Sequence, residues 1–101
     1  MPDNFVIRYL PVAEDDLLSI YDWIAADSPA RAVAFTEKLD KRINLLASNP
    51  RLGRVPKHEK PARYGYRVLV IESHLAFYVI HGRTIEIHRV IHGSRHLDDI
   101  V

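Results

Sequence analysis

YRVLVIESHLAFYVIHGRTIEIHRVI, Tyr66 to Ile91, reads as three β-strands in succession. β-Branched and aromatic residues fill Tyr66–Ile71, His74–Ile80 and Thr84–Ile91, and only Glu72-Ser73 and His81-Gly82-Arg83 part them. Connections this short close as hairpins, so the spacing predicts an antiparallel meander. Alternation leaves no polar face: Val68 and Val70 oppose Leu69 and Ile71, and Ala76, Tyr78 and Ile80 oppose Leu75, Phe77 and Val79. One helical layer covers one face of a sheet. The other is expected to need a further cover: another polypeptide, a second copy, or the chain's own tail.

Upstream, the period changes. Phe5–Leu10 (FVIRYL) is a short first strand, bounded by Asp3-Asn4 and Pro11. From Ala13 the apolar residues Ala13, Leu17, Ile20 and Ile24 recur at helical spacing, and Glu14, Asp15 and Asp16 sit in the first turn, where the helix dipole favours them. This helix is expected to end near Ala26. Asp27-Ser28-Pro29 is a cap followed by proline at the first helical position, so a second helix starts almost at once and the two form a hairpin. Ala32, Phe35, Leu39, Ile43 and Leu46 carry it to Ala47, and Asn49-Pro50 stops it. Arg51–Tyr64 (RLGRVPKHEKPARY) shows no period and reads as a basic, irregular loop. The order β-α-α-β-β-β predicts an α+β domain, an antiparallel sheet with a helical hairpin packed on one face.

With 101 residues, 48% of them apolar, the chain suits one core and one domain, residues 1–101. No run is long enough to span a membrane, and MPDNFVIRYL does not have the form of a cleavable signal, so a cytoplasmic location is expected. There is no cysteine, which removes disulfides and thiolate metal sites. The net charge of +1 conceals a division. Residues 1–50 hold five Lys/Arg against eight Asp/Glu, residues 51–101 hold nine against five, and all six histidines fall in the second half. Such a chain steers an acidic partner to one side, with a weaker field than a dedicated DNA-binding domain.

The last strand runs into a cluster of cations, with Arg89, His92, Arg95 and His96 following His88. Arg67 at the start of the second strand and Arg89 near the end of the fourth are expected to approach one another, an arrangement suited to bidentate capture of phosphate or carboxylate. Strict alternation, however, places Arg89 on the face of Ile85, Ile87 and Ile91, as a core arginine, and a bulge near it would reverse that assignment. His88, His92 and His96 recur every four residues, a metal-binding spacing on a helix but not on a strand followed by a turn; no metal and no cofactor is expected. As single groups, His92 or His96 could serve in acid–base chemistry on a ribose hydroxyl, with Arg67, Arg89 and Arg95 beside the phosphate. Lys57 and Lys60 extend the basic patch.

ASNPRLGR (Ala47–Arg54), YRVLV (Tyr66–Val70), AFYVI (Ala76–Ile80) and IEIHRVIHGSRHL (Ile85–Leu97) together resemble the RelE/ParE superfamily of bacterial type II toxins, and the ParE-like branch most. The resemblance covers nearly the whole chain. It implies a growth-inhibiting toxin neutralised by a cognate antitoxin, in a higher-order complex that binds its operator through the antitoxin. It implies one of two targets: DNA gyrase, poisoned without catalysis, or the ribosome, where mRNA is cut by an endonuclease. For the second, Arg67, Arg89, His92 and His96 would be the catalytic set. For target or antitoxin binding, the resemblance points to Lys57, Lys60, Arg67, Arg89, His92, Arg95 and His96. The tail from His92 onward has no tyrosine, a departure from the ribonuclease pattern that favours the gyrase reading. A detoxified relative kept for binding and autoregulation is the third reading.

Overall fold

The computed structural model describes residues 4–57 and 64–93. Strand β1 (Val6–Tyr9) leads into helix α1 (Pro11–Ala25), helix α2 (Pro29–Asn44) and a 3-10 turn, Leu45–Ala47; β2 (Arg67–Ile71), β3 (His74–His81) and β4 (Thr84–His92) complete the chain order. The helix α1 begins two residues before the expected Ala13, because Pro11, with its preset φ and missing N–H, occupies the first helical position. In α2, Pro29 sits likewise in the first turn, the Ser28 hydroxyl accepts from the Arg31 amide at 3.2 Å, and Lys41 and Arg42 lie in the last turn.

The sheet runs in the order β1-β4-β3-β2. The meander is antiparallel as expected, but β1 lies parallel to β4, with Ile7 opposite Ile85 and Tyr9 opposite Ile87. The sheet is therefore mixed rather than antiparallel. Hairpin-linked strands must alternate in direction, whereas β1 leaves through the helices and reaches β4 by a crossover, which permits parallel pairing. The β3–β4 connection turns through Gly82, at φ 62°, where a side chain would be strained.

The helices cover one face. Leu39, Ile43 and Leu46 meet Leu69, Ile85 and Ile87 in the main core, and Leu39, Ile43, Ile85 and Ile87 are fully buried. Tyr9 on β1 donates to Asp40 on α2 at 2.8 Å, and burial followed by that carboxylate pushes the phenol far above its usual range. The second face, expected to need a cover from another polypeptide, a second copy or the tail, carries a smaller core within the described residues, in which Val68, Phe77 and Ile91 are buried and Tyr66 and Leu75 pack against them. Val70 on that face remains exposed.

A break in register near the end of β4 decides where its side chains go. Tyr78 pairs with Ile87, yet its neighbour Phe77 pairs with Arg89, so His88 is an extra residue on the β4 side. Up to the bulge, Ile85 and Ile87 face the helices; beyond it, Val90 takes the helix side and Ile91 joins the second core. Arg89 thereby leaves the face of Ile85 and Ile87.

Candidate functional site

Four groups of side chains hold the strand cations and border the two clefts of the described residues. The first is built on Arg89. Tyr9 is the last β1 residue paired to β4, and the Leu10 amide donates to the Ile87 carbonyl at 3.0 Å before Pro11 turns the chain into α1. Among the described residues, no strand lies beside that edge of β4 beyond Ile87. Asp16, on α1, fills the gap: its Oδ2 accepts from the Val90 amide at 2.9 Å and from Arg89 Nε at 2.8 Å, and its Oδ1 accepts from Arg89 Nη2 at 3.0 Å. The two-pronged pair holds the guanidinium protonated, raising it further above an already high value. This arginine is committed to the protein's own carboxylate.

Arg67 is committed as well. Its Nε donates to the Gly53 carbonyl at 3.1 Å and its Nη2 to the Arg51 carbonyl at 3.4 Å. Beside it, the Tyr78 hydroxyl donates to the Pro50 carbonyl at 2.8 Å and accepts from the Gly53 amide at 2.9 Å. Arg54 and Val68 exchange two backbone hydrogen bonds, so residues 50–54 are pinned against the outer edge of β2. Gly53 is required there, since a Cβ would stand 2.7 Å from the Tyr78 ring. The sequence offers no signal for Tyr78 in this role, because an alternating strand shows it only as one more apolar residue.

The expected convergence of Arg67 and Arg89 does not occur. Arg67 pairs across the sheet with Tyr78, which belongs to the helix-side core, and Arg89 pairs with Phe77, which belongs to the opposite core. Cross-strand partners share a face, so the bulge and the intervening strand leave the two guanidiniums on different sides of the sheet.

The third set lines a groove of about 820 Å³ between the helical hairpin and the ends of β3 and β4. Ile20, Trp23, Ile24, Phe35, His74 and Val90 form much of its wall. Trp23 is 83% exposed and Leu18, also on α1, is 63% exposed, a large apolar area for a helix of a small domain. His92, at the end of β4, faces His74 across the ladder with ring centroids 5.3 Å apart. The His74 ring also leans on Phe35 at 5.1 Å, and burial, then the neighbouring His92, lowers its pKa against an opposing pull from Glu72. His92 therefore lines the groove with His74, and Asp16, the partner of Arg89, lines it too.

The fourth set, which sequence reasoning passed over, joins Tyr66, His88 and Glu86. Tyr66 Oη lies 2.9 Å from His88 Nδ1, and His88 Nε2 lies 3.4 Å from Glu86 Oε1. Lys57 is exposed on the loop side. Lys60, Arg95 and His96 lie outside the described residues. Among the described residues no three His, Asp or Glu side chains are grouped to hold a metal ion, and no helix is long and apolar enough to cross a membrane.

The elements define a small α+β domain, two helices packed on a four-stranded mixed sheet. A solved structure of the chromosomal ParDE toxin–antitoxin system of P. aeruginosa superposes with a TM-score of 0.74 at 22% identity, covering 90% of this chain and 98% of that one. The RelBE2 toxin–antitoxin complex of Mycobacterium tuberculosis superposes at 0.61 and 21% identity, covering 88% and 98%. These likenesses establish the fold. At the level of sequence, residues 7–97 match the model of the ParE toxin of type II toxin–antitoxin systems. Toxin ParE1 of Mycobacterium tuberculosis is 36% identical over 98 residues, spanning 90% of this chain and 94% of its own. The chain belongs to the ParE toxin family.

Proposed function

We propose that this ParE-type toxin arrests bacterial growth by inhibiting DNA gyrase through binding alone, and that a cognate antitoxin neutralises it. One observation favours gyrase over mRNA as the target: both strand arginines that phosphate chemistry would call on are spent inside the protein, Arg89 on Asp16 and Arg67 on the Gly53 and Arg51 carbonyls. Cleavage of RNA needs cations free to meet developing charge on the phosphate. Inhibition by docking needs only a surface.

The antitoxin's seat, in this reading, is the groove beside Trp23. An exposed tryptophan beside a groove that sets apolar side chains next to Asp16, Arg31, Lys38 and Glu72 suits a partner's amphipathic helix, and such aromatic anchors carry much of the affinity where they are buried on binding. The solved structures with this fold are of toxin–antitoxin systems, which supports an antitoxin as the partner. The complex would act in the cytoplasm and meet its operator through the antitoxin.

Expression of the chain without its antitoxin tests the reading. The expected result is growth arrest with a DNA-damage response and continuing protein synthesis, relieved when the neighbouring small antitoxin gene is co-expressed. Arrested translation with codon-positioned cuts in message, and undamaged DNA, would overturn it. Trp23→Ala should lower antitoxin affinity by about 2 kcal/mol or more, the scale of an interface hot spot, and leave thermal stability unchanged.

A further inference from the structure

On the sheet face away from the helices, Tyr66, His88 and Glu86 are joined end to end. The order of donors follows from the chemistry of each group. Glu86 only accepts when ionised, so the His88 nitrogen facing it, Nε2, carries the proton. A neutral imidazole then presents Nδ1 as an acceptor, and the Tyr66 hydroxyl donates to it at 2.9 Å. The rings stand edge to face, 5.1 Å between centroids, which fixes the phenol against the imidazole. The bulge supplies the geometry. As the extra residue of β4, His88 has no cross-strand partner in the register, and its side chain is turned to the Tyr66 side of the sheet.

This arrangement borders an open cleft of about 580 Å³ walled by Tyr64, Gly65, Val79, Ile80 and His81 in addition to Tyr66 and His88. Nothing in the toxin reading uses it. A phenol whose proton has a ready acceptor, with a carboxylate behind that acceptor to stabilise the imidazolium, is the arrangement of an activated nucleophile. At rest the phenol keeps its proton, because burial raises its pKa while the charge of Arg89 opposes that rise; the proton is transferred only as a new bond forms.

We propose that Tyr66 is a nucleophilic site that accepts an acyl group from an activated ester, with His88 as its base and Glu86 as the residue that positions His88. Val79 and the Tyr64 ring offer an apolar wall, and Arg89, whose charge reaches Tyr66, is already paired with Asp16, so a neutral acyl group suits the cleft better than an anion. In the step, a Tyr66 Oη lone pair bonds to the acyl carbon and the bond from that carbon to the leaving oxygen breaks with its electron pair. The phenolic proton passes to His88 Nδ1 and from there to the departing oxyanion, which leaves as the neutral alcohol. The imidazolium faces Glu86 while it lasts. The product is an acyl-tyrosine. The proposal is independent of whether gyrase is the target.

The full chain incubated with p-nitrophenyl acetate and read by peptide mass spectrometry provides the test, because Tyr64 is a built-in control. Tyr64 lies in the same cleft, is 59% exposed and has no base in hydrogen-bond contact among the described residues, so accessibility alone predicts that it is acetylated first. The activated reading predicts the reverse, with Tyr66 at least about a hundredfold faster than Tyr64, the lower end of what a positioned base contributes. His88→Ala should bring the Tyr66 rate down to that of Tyr64 or below. Glu86→Gln, which preserves shape and removes charge, should slow Tyr66 several-fold without changing Tyr64, and Glu86→Asp should restore part of the loss. Circular dichroism on each variant establishes that it is folded; the Glu86 pair provides the test if His88→Ala is not. Tyr64 acetylated as fast as Tyr66, or a Tyr66 rate indifferent to Glu86→Gln, would overturn the proposal.

Discussion

The two halves of β4 are held in place by different means. From Thr84 to Ile87 the strand lies between β1 and β3, with Ile85 and Ile87 fully buried, and its backbone is satisfied by ladders on both sides. From Arg89 to His92, among the described residues, β3 is the one strand beside it, and Asp16 stands where the next strand would be. The first half is secured by apolar burial and main-chain pairing, the second by one carboxylate serving a backbone amide and a guanidinium together. A strand edge left open when its neighbour departs into a helix can be closed by that helix. The cation that looked free to bind a ligand is part of the closure.

The contrast gives an ordered set of expectations for equilibrium denaturation in urea. Ile87→Ala, in the first half, should cost about 3–4 kcal/mol, the range for deleting a fully buried branched side chain. Asp16→Ala, in the second, should cost roughly 2–3 kcal/mol, since it strands both the Val90 amide and the Arg89 guanidinium. Arg89→Ala should cost less, because Asp16 retains the Val90 amide. Equal losses for the two would mean that the backbone bond adds nothing. Tyr78→Phe removes the hydroxyl that links β3 to Pro50 and Gly53, and about 1–2 kcal/mol should go with it.

The smallest effect expected is one of pH. Burial and His92 lower the pKa of His74 from its ordinary 6.5, so below that value the unfolded chain takes up a proton that the folded chain resists. Stability contributed by the neutral ring is complete above about pH 6.5 and declines as pH falls through the imidazole range. The melting temperature should fall on acidification across that window, and His74→Phe should flatten the decline. A melting temperature that rises there would contradict the assigned direction.

Much of the fold was legible because its signals are local. Proline at helix starts, the Ser28 cap, the helical stripes and the two tight turns placed both helices and all four strands to within a few residues. The direction of β1 was not legible, since parallel pairing through a crossover depends on contacts between Val6–Tyr9 and Thr84–Ile87, far apart in sequence. The site was read less well, and the cause is chiefly the bulge. Strict alternation assigns Arg89 to the core side with Ile85 and Ile87 unless a bulge intervenes; one extra residue, His88, is that bulge, and it takes Arg89 off that side, separates it from Arg67 and sets His88 against Tyr66. No residue type in IEIHRVI marks a bulge, so a period-2 reading passes through it. Family resemblance, by contrast, rested on NPRLG and RVIHGSRHL and reached the ParE toxins without any of these details.

The central functional claim is that this domain acts by docking, its strand arginines belonging to the framework. The most direct measurement adds purified toxin to a reconstituted gyrase supercoiling reaction and, in parallel, to a reconstituted translation reaction. The account predicts that supercoiling is inhibited while translation proceeds and message stays intact. Unimpaired supercoiling together with cut message would contradict it.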